Sequence, residues 1–305
     1  MNSEKRIAWD GVSFPIPANW ELALYRRIKR KIWHLEIEDE YALRLEVEWI
    51  QQETPLDVET ILKRYQKATE KLAPQAFTRE EVANLPTEWT ATYYTFAESE
   101  TKKGGGLGTV KHGLATAFYI PADERFFCFI LLHVYPEDME GRPQDVLRTV
   151  AEGFKRHQQN AIPWQMFDIA FRMPRDFLLE STSFGVGSKL TVFRWRMRLF
   201  YLWHLSCADK FLTDGVRPEA WIAAFLNDFK PIRAVVFEPG PNGTVRWRRR
   251  KRNFLGHRDE LARGCLQYEI RYLHDRKANR LILWVFNYRK ATDLDRLPKP
   301  FMFGR

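Results

Sequence analysis

An internal repeat constrains the fold of this chain more than any other feature of its sequence. The segments Asp10–Trp20 and Asp168–Phe177 both begin with Asp and continue as Phe-x-aliphatic-Pro-x-x-aromatic, when one gap is allowed. A repeat of this kind indicates that one structural unit occurs twice. Two units are also what a chain of 305 residues suggests, since a domain takes roughly 150 residues.

The first copy begins with a series of predicted strands. Residues Tyr41–Trp49 alternate strictly between apolar and polar side chains, with Glu46 and Glu48 among the polar ones. This alternation is typical of a strand that has one buried face and one solvated face. Two neighbouring strands are predicted before it, at Glu21–Ile28 and Lys31–Ile37.

The second copy repeats this order, with strands predicted near 167–173, 177–184, 188–196 and 199–207. Apolar residues at helical spacing predict one amphipathic helix after the strands of each copy, at Val58–Leu72 and Pro218–Phe229. A closing helix, Pro143–His157, is predicted only in the first copy, because two prolines within Leu297–Phe301 disfavour a helix at the end of the second. The predicted fold class is therefore α+β: two tandem units, 1–157 and 158–305, each a mostly antiparallel β-sheet packed with helices.

The opening motif, the strands, the single helix, the long late strands and the closing helix together resemble the PsbP-like fold. That superfamily includes the extrinsic P protein of photosystem II, a Ran-binding nuclear transport factor and many bacterial proteins of unknown role. The resemblance implies two tandem PsbP-like units and a binding or accessory role rather than catalysis. It carries no catalytic residue over to this chain, and the missing closing helix of the second copy departs from the pattern.

Charge is distributed unevenly between the two halves. Residues 1–157 contain 21 Lys and Arg against 25 Asp and Glu, whereas residues 158–305 contain 27 against 14. The net charges are therefore −4 and +13. A strongly basic half predicts an anionic partner. The alternative is that the acidic and basic halves attract each other, within one chain or between two copies.

Two arginine-rich runs in the basic half are the best candidates for an anion-binding surface. Phe193–Arg198 and Val245–Arg252 both alternate apolar residues with arginine, so the arginines of a strand would project from one face about 6.6 to 7 Å apart. Guanidinium groups suit phosphate and carboxylate recognition. If both runs belong to one sheet, they form a cationic patch; otherwise they form a solvated face. The predicted anion-binding residues are Arg194, Arg196, Arg198, Arg246, Arg248 and Arg250.

No metal site and no cofactor site is predicted. The seven histidines lack a paired ligand spacing, and His34 and His204, which lie in predicted strands, are interpreted as structural residues. The three cysteines are dispersed singly. The glycine-rich segment Lys102–Gly108 lacks the helix start of a phosphate-binding loop and is interpreted as a hairpin tip.

The acidic residues of the first copy are interpreted as a solvated strand face. Glu36, Glu38, Glu46 and Glu48 alternate with apolar residues, although a carboxylate pair for acid–base catalysis could lie among them. An enzyme with a site between the two units is therefore the least favoured function class.

The leading prediction is a non-catalytic, cytoplasmic binding or scaffold protein that engages a protein partner through an exposed sheet face. The alternative is a protein that binds nucleic acid or another polyanion through the arginines of the second unit. No stretch has the roughly 18 to 20 apolar residues that a membrane helix needs, so no membrane insertion is expected. The few cysteines and the charged N-terminus favour a cytoplasmic location.

Overall fold

A computed structural model describes residues 4–28, 31–72, 78–101, 107–135, 143–213, 215–232, 235–249, 267–297 and 302–303. The chain divides into two compact units. Unit 1 comprises Met1–Gln158, Pro163–Ala170 and Phe303–Arg305, and unit 2 comprises Gln159–Ile162 and Phe171–Met302. The boundary predicted between residues 157 and 158 stays a prediction.

The elements up to the first interunit segment are β1 (Glu4–Trp9), β2 (Val12–Pro17), β3 (Glu21–Ile28), β4 (Ile32–Glu38), β5 (Leu43–Gln51), α1 (Val58–Leu72), β6 (Thr78–Glu81), β7 (Trp89–Thr101), β8 (Leu107–Tyr119), β9 (Phe126–Val134), α2 (Pro143–Gly153), β10 (Lys155–Arg156) and β11 (Ala161–Met166). The later elements are β12 (Ile169–Pro174), β13 (Leu178–Gly185), β14 (Ser188–Trp195), β15 (Arg198–Ser206), α3 (Pro218–Asp228), β16 (Val235–Pro239), β17 (Val245–Arg249), β18 (Gln267–Asp275), β19 (Arg280–Tyr288) and β20 (Met302–Phe303).

The predicted α+β class is wrong, because β-strands dominate the structure. Unit 1 contains a seven-stranded antiparallel sheet in the order β3-β4-β5-β9-β8-β7-β6, and unit 2 contains a five-stranded antiparallel sheet in the order β13-β14-β15-β19-β18. The described residues contribute only three α-helices beside these sheets. The long strands outweigh these helices in both copies, and this makes the chain a β-rich fold.

The two sheets share one strand order over five strands. In both sheets the third strand of the order, β5 or β15, pairs with the fourth strand after the covering helix. That strand is β9 in unit 1 and β19 in unit 2. The register makes the positions comparable, since Gln51 lies opposite the first residue of β9 and Ser206 lies opposite the first residue of β19. Residue 46 therefore corresponds to residue 201, and residue 48 to residue 203.

Helix α1 covers the face of the unit 1 sheet that carries the acidic residues of β5. Tyr65 of α1 packs on Phe127 and Phe129 of β9, with ring centroids 5.3 and 4.5 Å apart. Leu45, Val47 and Trp49 are buried on the opposite face. Both faces of this sheet are thus covered, so the predicted solvated face of Glu36, Glu46 and Glu48 is partly enclosed, while Glu38 at the end of β4 is exposed.

Helix α3 covers the corresponding face of the unit 2 sheet. Tyr201, Trp203 and Leu205 of β15 are buried there against Ile222 and Leu226 of the helix. Among the helices that the structure describes, none combines the length and the apolar character that spanning a membrane would require.

Candidate functional site

The covered face of the unit 1 sheet holds a group of two histidines and three glutamates, here called the His34 cluster: His34, Glu36, Glu46, Glu48 and His133. Strand pairing brings them together, because His34 lies directly opposite Glu48 and Glu36 directly opposite Glu46. Residues opposite each other on one face have their Cβ atoms roughly 4.5 to 5.5 Å apart. The neighbouring strand β9 contributes His133.

His34 is the centre of this cluster, and its side chain is only 1% exposed. Its Nδ1 lies 2.8 Å from Glu48 Oε1, and Glu48 also accepts a hydrogen bond of 2.5 Å from the Tyr65 hydroxyl. Glu48 carries no hydrogen as a carboxylate, so Nδ1 is the donor in the first bond. This contact fixes the ring and aims Nε2 at the other two carboxylates.

The Nε2 side of His34 faces Glu36 and Glu46. Nε2 lies 2.9 Å from Glu36 Oε1 and 3.8 Å from Glu46 Oε2. The other oxygen of Glu46 lies 2.8 Å from His133 Nε2. Arg26, whose side chain is 55% exposed, approaches Glu36 Oε1 at 3.3 Å. The carboxylates therefore face one buried imidazole at close range.

The electrostatics of the cluster favour a charged His34. Burial alone lowers the pKa of His34, but the hydrogen bonds to Glu48 and Glu36 outweigh burial and raise the pKa. Burial alone raises the pKa of Glu48, but the bonds from His34 and Tyr65 lower it below its usual value. Burial and the negative charge of Glu48 raise the pKa of Tyr65. Both shifts favour the ion pair of His34 and Glu48 over its neutral form.

Three members of the cluster are arranged as metal ligands. One ligand atom from each of His34, Glu36 and Glu46 lies within 4.8 Å of the other two. Imidazole nitrogen and carboxylate oxygen are both common donors to divalent metal ions. Sequence reasoning missed this site, since it placed the carboxylates in solvent and assigned His34 to packing alone.

Unit 2 has no such polar cluster at the equivalent positions. The register equates His34 with Leu190, Glu36 with Val192, Glu46 with Tyr201 and Glu48 with Trp203. Val192, Tyr201 and Trp203 are buried in an apolar core. The shared strand order is therefore compatible with an apolar face, and the fold does not require the polar residues of unit 1.

The first predicted arginine run is divided by a hairpin turn. Arg194 lies near the end of β14 and forms an ion pair of 2.9 Å with Glu180. Arg196 lies in the turn, with a positive φ of 56°. Arg198 begins β15 and pairs with Asp293 at 2.8 Å, where its side chain is only 14% exposed. The three arginines thus do not form one row along a single strand.

The second arginine run lies in a different sheet. Arg246 and Arg248 belong to β17, which pairs with β16 in a two-stranded sheet, and Arg248 forms an ion pair of 2.6 Å with Glu238. Arg250 lies outside the described residues. The structure therefore does not combine the two runs into one strand face, and the anion-binding role of these residues stays a prediction.

Three guanidinium groups instead surround the ring of Trp195. The Cζ atoms of Arg196, Arg198 and Arg296 lie 5.3, 4.9 and 5.8 Å from its centroid. The Trp195 ring nitrogen donates to Asp176 at 2.8 Å. Arg296 was not predicted, because it lies outside both arginine-rich runs and no periodicity connects it with Trp195.

Comparison with known proteins gives no family assignment. No protein-family model matches the chain, and no curated protein matches its sequence. One similar solved structure is a protein of Bacteroides thetaiotaomicron, with a TM-score of 0.31 and 8% identity over 55% of this chain and 56% of that one. The chain thus spans little more than half of that protein.

A second similar structure is LpqN, described as involved in cell envelope biogenesis of Mycobacterium tuberculosis. Its TM-score is 0.29 and its identity is 12%, over 52% of this chain and 93% of LpqN. At these TM-scores neither likeness assigns a fold or a role to this chain. They provide no evidence for the PsbP-like resemblance.

Proposed function

We propose that the protein is a non-catalytic binding protein whose first unit binds a divalent cation between His34, Glu36 and Glu46. The observation that carries the proposal is the convergence of these side chains on a helix-covered face that is apolar in unit 2. Partly buried polar groups cost stability unless they are paired. Groups that the fold does not need are expected to serve binding.

The charge of the site favours a cation over an anion. Three carboxylates lie around one imidazole. They belong to Glu36, Glu46 and Glu48, whose side chains are 20%, 24% and 16% exposed. Carboxylates that share one partly desolvated site repel each other. A divalent cation between Glu36 and Glu46 relieves that repulsion more completely than the single charge of His34.

Equilibrium dialysis followed by elemental analysis tests this function on the full chain. The parent protein is expected to retain one divalent ion per chain, and Glu36→Gln and Glu46→Gln are each expected to weaken its binding at least tenfold. Glu38→Gln is the matched control, because Glu38 lies on the same strand but is exposed outside the cluster. A parent protein that retains no divalent ion, or a control that loses as much binding as Glu36→Gln, contradicts the proposal.

The earlier predictions of a protein partner at a sheet face and of a cytoplasmic location stay predictions beside this function. A second candidate function is favoured by the guanidinium groups around Trp195, which form a site for a polyanion in the basic second unit. Arg198 is already paired with Asp293, so the proposed phosphate contacts are the more exposed Arg196 and Arg296.

The polyanion candidate predicts salt-dependent binding of a single-stranded oligonucleotide. Arg196→Ala/Arg296→Ala is expected to weaken binding at low salt and to reduce the salt slope by about 0.7 per lost phosphate contact. Arg276→Ala/Lys277→Ala is the matched control, because it makes the same charge change at two exposed residues of unit 2 outside the predicted anion-binding set. Equal effects of both variants would assign binding to net charge, and no binding by the parent protein would exclude the candidate.

A further inference from the structure

We infer that the cation of the His34 cluster is a first-row transition metal ion such as Zn²⁺, held directly by His34 Nε2, Glu36 and Glu46. The inference rests on the proposed function, because it names the ion that the same site takes. It also assigns Glu48, Tyr65 and His133 as positioning residues that hold the ligands in place.

The type of donor atoms excludes the hard cations. Ca²⁺ takes 6 to 8 oxygen ligands, and Mg²⁺ takes oxygen ligands in a near-octahedral shell. Here the most buried donor is a ring nitrogen, and it stands between two carboxylates. Imidazole nitrogen suits Zn²⁺ and its neighbours in the first transition row, which also accept carboxylate oxygen.

The spacing of the donors fits such an ion after a small closure. Bonds from Zn²⁺ to imidazole nitrogen and carboxylate oxygen are about 2.0 to 2.2 Å, so donors around one ion lie within roughly 4 Å of each other. The three donors of the cluster already lie within 4.8 Å. Rotation of the two glutamate side chains suffices, since neither is fully buried.

Two of the three proposed ligands, His34 and Glu46, are each held by a hydrogen-bond partner that is not itself a ligand. Glu48 binds the Nδ1 side of His34 and is itself bound by Tyr65, while His133 binds the Glu46 oxygen that points away from His34. Partners of this kind fix the tautomer and the orientation of metal ligands, and their loss typically costs 10- to 100-fold in metal affinity. A purely structural ion pair does not need this second set of contacts.

Access to the site comes from the carboxylate side. The His34 ring is enclosed, but Glu36 and Glu46 reach solvent. The Arg26 guanidinium lies 3.3 Å from both Glu36 Oε1 and His34 Nε2, and it must leave when an ion arrives; its side chain is more than half exposed, so it can turn into water. The ion therefore enters between the two carboxylates and meets Nε2 last, where it takes the place of the Nε2 proton, which leaves to solvent, while Nδ1 keeps its proton for Glu48.

The first experiment compares ions on the full, metal-free chain. Zn²⁺, Co²⁺, Mn²⁺, Mg²⁺ and Ca²⁺ are each titrated by calorimetry, and Co²⁺ binding is also followed by visible absorption, which reports the ligand number and nitrogen ligation. Zn²⁺ and Co²⁺ are expected to bind at least 100-fold more tightly than Mg²⁺ and Ca²⁺. Tight binding of Mg²⁺ or Ca²⁺ alone overturns the inference and leaves the proposed function intact, whereas no binding of any ion overturns both.

The second experiment tests the ligands and their partners. His34→Asn keeps a side-chain N–H for Glu48 but removes Nε2, and it is expected to abolish the Co²⁺ absorption. Tyr65→Phe keeps the ring contacts with Phe127 and Phe129 and is expected to weaken Zn²⁺ binding about tenfold. Glu48→Gln is expected to act in the same direction as Tyr65→Phe.

Unit 2 offers a matched control for Tyr65. The Tyr272 hydroxyl of β18 donates to Glu219 of α3 at 3.3 Å, so Tyr272→Phe removes a similar bond between sheet and helix at a position without a cluster. Its Zn²⁺ affinity is expected to equal that of the parent. Unchanged Zn²⁺ binding in His34→Asn overturns the ligand assignment, and unchanged binding in Tyr65→Phe overturns the positioning role.

Discussion

In unit 2 the covering helix packs on Tyr201, Trp203 and Leu205, whereas in unit 1 it lies over Glu46, Glu48 and Ile50 at the equivalent positions. One strand order therefore supports two opposite chemistries on the same face. The aromatic face gains stability from apolar burial. The acidic face of unit 1 gains less stability in this way. The face of unit 2 therefore stabilises the fold, whereas the face of unit 1 offers polar groups to a ligand.

The largest expected effect tests the structural face. Trp203→Ala removes a ring that is 2% exposed and contacts Phe225 and Phe229, so the free energy of unfolding of unit 2 is expected to fall by about 3 to 5 kcal/mol. Hydrogen exchange of β15 peptides measures this loss. Val186→Ala, at a fully exposed position, is the control. A loss below about 1 kcal/mol would show that the aromatic face is not the core of unit 2.

An intermediate effect tests the polar face. His34→Leu introduces the type of residue that unit 2 has at this position and leaves Glu48 partly buried without its imidazole. The free energy of unfolding of unit 1 is expected to fall by about 2 kcal/mol, because an uncompensated buried charge is costly. His34→Leu/Glu48→Leu is expected to recover part of that loss, since removing both partners costs less than removing one.

Hydrogen exchange of β4 and β5 peptides measures both variants. Glu48→Leu completes the cycle: if the double variant is less stable than the parent by the sum of the losses of His34→Leu and Glu48→Leu, His34 and Glu48 are not coupled. The contrast between the two sheet faces would then rest on packing alone.

The smallest expected effect is a pH dependence that only unit 1 shows. The pKa of His34 is raised in the folded state, so its stabilising contribution is fully present below about pH 6.5 and is lost as the pH rises through the folded-state pKa. The groups that face this ring are Glu36, Glu46, Glu48 and Arg26. In metal-free protein, β5 is expected to exchange faster as the pH rises from 6 to 9, after correction for intrinsic exchange, and β15 is not.

His34→Leu is the control for the pH experiment. It is expected to remove the difference between β5 and β15. A parent protein in which both strands respond equally would show that the response does not arise in the His34 cluster.

The sequence predicted the positions of individual strands such as β3 and β15 closely, because alternation reports which side chains share a face. The sequence also has Trp20 and Phe177 three residues after the proline of the repeated motif, and both are buried, at 9% and 2% exposed. It did not predict the cover over the acidic face. The available signal was β9, whose continuous apolar run from Phe126 to Leu132 is typical of a strand that is buried on both faces.

The sequence pattern did not reveal the hairpin turn within the first arginine run. Alternation of arginine with Trp195 and Met197 continues across the hairpin turn, so the pattern alone does not show where β14 ends. Arg196 adopts a left-handed backbone without the glycine or asparagine that usually marks such a turn. The proximity of Arg296 to Trp195 arises from tertiary structure, which no local pattern encodes.

The duplicated strand order also has an evolutionary consequence. A substitution in one copy leaves the other copy's interior untouched, so the acidic residues of β5 can be exchanged or lost while β15 retains its aromatic ones. Divergence of this kind lets one unit take on polar residues that lower its own stability, while the other unit keeps its apolar core. The aromatic residues of β15 thus show a form that β5 can take without loss of the shared strand order.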